Sequence, residues 1–286
     1  CWADIFLESP GVIKDVPESI TPIIWGYEPD FPFDEKCLLV SKTHPDFYLA
    51  PGNSSWNSFS CRLTDACKNL NTATASGKRF GASGILVTSW GDGGNHYPWL
   101  GLFPGLVKGA ASSWSEESNR EVDLEDYFHR FFFKENEPLL AKALIMLCRT
   151  DDFFKPNFLN ASLPHKLLFC DWPDRSKDIV VLDGIDANTL HQSLIHLESV
   201  TALLAEIPKC DDTVNAFVFD IQLGVDLNRI GIKKGLLMLE GKPMDKLKNK
   251  LLALIPRYET GWKQFARSGG LEESVEHLKR AAELMG

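Results

Sequence analysis

No apolar run in the sequence approaches the ~20 residues that a bilayer-spanning helix needs, so nothing in it reads as transmembrane. Positive charge is also scarce. Lys and Arg number 30 against 39 Asp and Glu, a formal net charge of -9, and no basic stripe offers a nucleic-acid surface. The 7 cysteines are an odd number without compact spacing, which argues against a disulfide framework and for free thiols. Free thiols suit a reducing compartment, and the cytoplasm is the expectation. Cys61 and Cys67 are isolated, and no His/Cys/carboxylate cluster has ligand spacing, so no metal is expected. A dinucleotide fingerprint is missing too: Gly91–Gly94 follows a tryptophan-bearing run without the required spacing, and no cofactor is expected. The chain opens on Cys1 and the apolar stretch Trp2–Leu7, without a basic segment or cleavage site that would mark a signal peptide. The expectation is a piece of a longer protein whose true start lies upstream.

What remains is an ordinary globular composition, 44% hydrophobic and 24% charged over 286 residues, enough for one large domain or two modest ones. The texture changes partway along. Residues 1–114 alternate short apolar runs with Gly/Pro/Asn/Ser clusters. Trp2–Leu7, Thr21–Tyr27, Phe47–Ala50 and Gly84–Trp90 are aromatic or β-branched and read as buried strands. Helical segments are expected between them at Gly11–Ser19, Asp34–Thr43 and Cys61–Lys78, an alternation that implies an α/β protein with parallel strands. Residues 115–286 are patterned as a helical region, with helices predicted over Val122–Phe133, Glu137–Leu147, Ala187–Ile207, Phe217–Leu239, Met244–Ile255 and, after the Gly269–Gly270 break, Leu271–Met285.

The aromatics of the first region fall at run ends. Trp2 precedes Asp4, Trp25 leads into Gly26-Tyr27-Glu28, Tyr48 leads into the loop holding Asn53 and Trp56, and Trp90 leads into Gly91-Asp92. In a (β/α) barrel the C-terminal strand ends form the active-site face, so these side chains would converge. Aromatic faces pack against the C–H face of a pyranose, while carboxylates and amides meet its hydroxyls. Any one of these tryptophans is as readily ordinary core; four run ends repeating the combination favour a sugar site. His96 alone reads as a structural or surface residue.

The ordered set Trp-Ala-Asp, Trp-Gly-Tyr-Glu, Pro-Gly-Asn-Ser-Ser-Trp-Asn and Trp-Gly-Asp-Gly-Gly resembles the second half of family 20 glycoside hydrolases, the β-N-acetylhexosaminidases. The segment from Trp262 to Ser274 resembles their closing segment. The resemblance implies the later half of a (β/α)8 TIM barrel over residues 1–114, followed by a mainly helical C-terminal region over 115–286. It implies that Trp2, Trp25 and Trp90 wall a terminal-sugar subsite and that Tyr48 hydrogen-bonds the N-acetyl carbonyl. Asp92 would hold outer hydroxyls, Asp4 and Glu28 would add polar contacts, and Asn53 and Trp56 would lie in the matching loop. The implied partner is a glycan or glycoside ending in an N-acetylhexosamine, cleaved by attack of the substrate's own acetamido oxygen.

The sequence departs from the family in one respect. Its catalytic Asp-Glu pair belongs to a His-x-Gly-x-Asp-Glu-type motif that this sequence does not contain. The adjacent acids Glu116-Glu117, Asp211-Asp212 and Glu272-Glu273 read as solvated helix starts. The parent protein is therefore expected to be a hexosaminidase and this chain alone to be inactive. The alternative is a carbohydrate-binding or scaffold protein that keeps the aromatic subsite without the acid.

Overall fold

In a computed structural model that describes residues 1–9, 11–92, 94–133, 138–155, 159–169, 181–208 and 211–285, the chain forms two compact units that interleave in sequence. The first comprises Cys1–Ser54, Leu63–Ser89 and Pro104–Asp123; the second comprises Ser55–Arg62, Trp90–Phe103 and Leu124–Gly286.

The first unit carries a small parallel sheet. After α1 (Asp4–Glu8), strands β1 (Ile23–Trp25), β2 (Tyr48–Ala50) and β3 (Gly84–Ile85) lie side by side in chain order. Ile23 pairs with Tyr48, Trp25 with Ala50 and Tyr48 with Gly84, and single bridges join Trp2 to Ile23 and Gly52 to Thr88. Parallel neighbours cannot be joined by a tight hairpin. Here α2 (Phe33–Val40) connects β1 to β2, and α3 (Leu63–Phe80) connects β2 to β3. Ile24 and Leu49 are fully buried and share a core with Phe33, Cys37 and Val40 of α2, Phe47, and Ala73 of α3. Helix α3 turns Leu63, Ala66, Asn69, Leu70, Ala73 and Gly77 inward at helical spacing. Burial pushes the Cys37 thiol up to about 12, so it behaves as a core side chain rather than a nucleophile.

The expected half of a (β/α)8 barrel is not what forms. The chain is 63% helical and, among the described residues, has eleven α-helices and one sheet of three short parallel strands. Short apolar runs do not by themselves distinguish a strand from a helix segment, and that ambiguity explains the difference. In Trp2–Leu7 only Trp2 makes a bridge; the run then turns into α1, whose Phe6 joins Ala3 and Ile13 in the core. Gly84–Trp90 ladders over two residues, and Thr21–Tyr27 over three. Between Gly11 and Ser19 the helical element is a single 3-10 turn, Val12–Asp15.

The second unit is helical throughout its main elements. After α4 (Phe103–Trp114), which from Pro104 on belongs to the first unit, come α5 (Leu124–Tyr127), which runs into a π-helical turn at Phe128–Phe132, then α6 (Pro138–Cys148) and α7 (Leu163–Phe169). Next come α8 (Ala187–Glu206), α9 (Asp212–Glu240), α10 (Asp245–Phe265) and α11 (Leu271–Glu283). The predicted start of one helix at Glu137 lies outside the described residues. Asp186 and Asp211 cap α8 and α9 by accepting from the N–H groups of Thr189 at 2.7 Å and Thr213 at 2.6 Å. Asp212, Glu272 and Glu273 occupy first turns, where carboxylates complement the helix dipole. In the first unit, Glu117 pairs with Lys78 and Glu116 with Arg120, so none of the three acid pairs forms a buried dyad.

The 29-residue α9 organises this unit, at about 44 Å long. It packs against α7 so closely that a Cβ on Gly231 would lie 2.1 Å from the Pro164 carbonyl oxygen, and one on Gly235 would lie 2.7 Å from Leu167. The three atoms nearest a Cβ at Gly231 are all Pro164 backbone, not movable side-chain tips. Gly231→Ala should therefore force the two helices apart and destabilise the second unit by roughly 1–3 kcal/mol, as overpacking does. A urea melt followed by circular dichroism checks this; an unchanged midpoint would show that the crossing is looser than described.

Candidate functional site

Side chains alternate across a strand, and registered neighbours share a face. Ile24 and Leu49 point into the helix-covered core, so Trp2, Ile23, Trp25, Tyr48 and Gly84 line the opposite face of the first unit's sheet. That face is open. Trp2 is 43% exposed, Trp25 37% and Tyr48 38%, an unusual display of large aromatics on so short a sheet. Gly84 makes room for Tyr48: a Cβ there would come within 2.5 Å of the phenol ring. Trp25 stacks on Tyr27, with ring centroids 5.3 Å apart and planes 26° apart. The Tyr27 N–H donates to the carboxylate of Glu28 at 3.3 Å, which holds that acid beside the aromatic pair.

One buried side chain ties the two loops above this face together. Asn69 of α3 donates to the carbonyls of Gly26 at 3.0 Å and Glu28 at 2.8 Å, and its own carbonyl accepts from the Gly52 N–H at 3.0 Å. Sequence reasoning missed Asn69. Its signal was available, since an amide three residues after Ala66 and one before Leu70 sits on the apolar stripe of a helix, where an unpaired amide is costly.

The other predicted residues are placed differently. Asp4 opens α1 and is partly exposed. Asn53 is fully buried: its N–H donates to the Thr88 carbonyl at 2.9 Å, and a Cβ on Gly105 of α4 would lie 2.9 Å from its carbonyl oxygen. Trp56, Trp90 and Asp92 belong to the second unit. Trp56 is 2% exposed, with the Arg62 guanidinium 5.5 Å above its ring and donating to its carbonyl at 2.8 Å, the setting of a core residue. Trp90 and Asp92 are exposed, and Gly93 between Asp92 and Gly94 lies outside the described residues. Of the nine candidates, the first unit's open face thus brings together Trp2, Trp25 and Tyr48, with Glu28 adjoining.

The second unit holds buried polar groups of which sequence reasoning had noted only His96, as a structural or surface residue. Buried His96 contacts the Ser274 carbonyl through Nε2 at 3.0 Å, and burial pulls its imidazole down to about 4. His165 lies 6.2 Å away, centroid to centroid, and burial holds it well below the usual range. Asp220 of α9 is 2% exposed, and accepts from the N–H groups of Trp99 at 3.3 Å and Leu100 at 2.8 Å, completing a 3-10 turn at Trp99–Leu102. Burial pushes its carboxyl up to about 7 against the pull of those two donors. Among the described residues, no group of three or more His, Cys, Asp and Glu side chains could hold a metal ion.

These shifts oppose one another in pH. His96 binds its proton less readily folded than unfolded, so its contribution is lost as pH falls from about 6.5 through about 4. Asp220 binds its proton more readily when folded, so its contribution is lost as pH rises from about 4 through about 7. Asp220→Asn removes only the second effect. The stability of the variant relative to wild type should climb as pH rises over that window, by up to about 1.4 kcal/mol per pH unit, and level off above it. Urea melts across the window check this; a constant difference would mean that Asp220 titrates normally.

No protein-family model matches the chain and no curated protein matches it, so the reading of these residues rests on their chemistry and geometry.

Proposed function

We propose that the open aromatic face of the first unit is the terminal-sugar subsite of an exo-β-N-acetylhexosaminidase acting on β-linked GlcNAc or GalNAc by substrate-assisted, retaining hydrolysis. The observation that carries this reading is the exposure of Trp2, Trp25 and Tyr48 on one sheet face, with Glu28 held beside it. Indole faces take the apolar side of a pyranose, and Glu28 offers a hydroxyl acceptor. In the proposed reaction the substrate's acetamido oxygen attacks the anomeric carbon as the bond to the leaving oxygen breaks. The leaving oxygen takes its proton from a carboxylic acid that this sequence does not contain. The Tyr48 hydroxyl donates to the acetamido group, while Trp2 and Trp25 hold it near the anomeric carbon and supply proximity in place of an enzyme nucleophile.

A second reading has its own support. Without a His-x-Gly-x-Asp-Glu motif, and with Asn53 and Trp56 buried, the same face serves a non-catalytic carbohydrate-binding protein. Both readings require sugar binding by this chain. Titration with a GlcNAc-derived thiazoline, a stable mimic of the oxazolinium intermediate, should give saturable binding, followed by tryptophan fluorescence. Trp25→Ala should weaken it about tenfold, the effect of losing one stacked aromatic contact. Unchanged affinity in the variant would remove the sugar site from this face. The readings part on chemistry: in a longer parent protein that hydrolyses a chromogenic GlcNAc glycoside, Tyr48→Phe should lower kcat by roughly 10²–10³ with little change in KM. Wild-type kcat in that variant would leave Tyr48 as a binding residue only.

A further inference from the structure

The second unit has a partly open cavity of about 310 Å³, bordered by Asn95, Tyr97, Trp99, Asp220, Tyr258 and Trp262, with Arg267 at its margin. That size lies at the lower end of small-molecule sites, which combine aromatic walls with a few placed polar groups. The polar tips of two walls are already committed. The Tyr258 hydroxyl donates to the Asn95 carbonyl at 2.6 Å, and the Trp262 indole N–H donates to the Arg267 carbonyl at 2.6 Å. The two rings stand 6.1 Å apart, centroid to centroid, at 58°. Their donors are engaged on the backbone and one face of Tyr258 stacks on His96 at 5.8 Å, so what the two residues present to the cavity is their remaining aromatic surface.

Asp220 supplies the second ingredient. It is a buried carboxylate whose hydrogen-bond partners are two backbone N–H groups, and among the described residues no Lys, Arg or His side chain pairs with it. Arg267 is exposed, where solvent and salt screen its charge. A buried acid without a countercharge, beside four aromatic side chains, is the chemistry that recognises an organic cation. We propose that this cavity binds a small organic ammonium ion, with Asp220 as counter-ion and Tyr97, Trp99, Tyr258 and Trp262 as the aromatic walls. The site is separate in its residues from the sugar face and does not depend on that reading.

The test compares choline with 3,3-dimethylbutan-1-ol, its neutral isostere, by calorimetric titration of the whole chain. Choline should bind about tenfold tighter than the alcohol, in line with a desolvated cation–π contact plus a nearby carboxylate. Asp220→Asn should bring the two ligands to similar affinity. Should that variant fail to fold, Trp262→Leu, which keeps an apolar wall but removes the indole face, should shrink the cation preference severalfold while the alcohol binds as before. Equal binding of the two probes to wild type, no binding of either, or a cation preference that survives in both variants would overturn the proposal.

Discussion

Three hydrogen bonds from one buried amide decide the shape of the first unit's open face. The strands are only two or three residues long, too short for ladder pairing alone to fix the loops that follow them. Asn69 does that work from α3, holding Gly26 and Glu28 after β1 and Gly52 after β2 in one frame. Each partner is a backbone group, so the frame depends little on which side chains the loops carry. An isosteric Asp could still accept from Gly52 but could no longer donate to the two carbonyls. Buried carbonyls left without donors cost roughly 1–3 kcal/mol each, a large share of the stability of any single domain.

The second unit is held by a different constraint, the closeness with which its neighbours pack on the glycines of α9. At Gly231 the Pro164 backbone leaves no room for a side chain, while a Cβ on Gly224 would meet Pro98 at 2.6 Å and one on Gly235 would meet Leu167 at 2.7 Å. Glycine in a helix interior costs about 1 kcal/mol in propensity relative to alanine, so three of them in one long helix are tolerable only where close packing returns more. Lys234 extends the same logic: it is buried, and its ammonium donates to the Leu168 carbonyl at 3.2 Å, near the end of α7. There a buried ammonium meets a carbonyl in the last turn of α7, the favourable end of a helix for a cation.

Two of the late helices were the most legible part of the fold, whereas the expected Phe217–Leu239 begins five residues earlier, at Asp212, and the expected Met244–Ile255 runs on to Phe265. Ala187–Ile207 and Leu271–Met285 have strong amphipathic spacing and clear start signals, and their structural bounds differ from the sequence reading by a residue or two. The strands were less legible, because a run such as Trp2–Leu7 offers too few residues to separate period 2 from period 3.6. Its Ala3 and Phe6 are three apart and buried together, which is helical spacing, and Asp4 is a good first-turn residue. For the site, Trp25 and Tyr48 were found because an aromatic at a run end is a local feature. Asn53 and Trp56 could not be sorted the same way. Their burial depends on Thr88, Gly105 and Arg62, and motif order carries no information on such contacts. Asp220 lay hidden for a related reason: a lone acid within Phe217–Leu223 looks like the polar side of an amphipathic helix until Trp99 and Leu100 are seen to donate to it.

The two units also divide their stability from their candidate chemistry in opposite ways. In the first, the cluster around Ile24 and Leu49 lies on the side of the sheet away from Trp2, Trp25 and Tyr48, so those exposed aromatics contribute little to holding the unit together. Exposed indole forgoes roughly 25 cal/mol for each Å² left in water, a penalty the fold accepts at Trp2 and Trp25 together. Substitutions on that face should therefore change what it binds more than whether it folds. In the second unit Asp220 and Tyr258 are themselves buried, and their hydrogen bonds to Leu100 and Asn95 pin the segment around Pro98. A change at either residue acts on packing and on the cavity at once. The open face can thus be altered residue by residue, whereas the cavity is coupled to the integrity of the helices that border it.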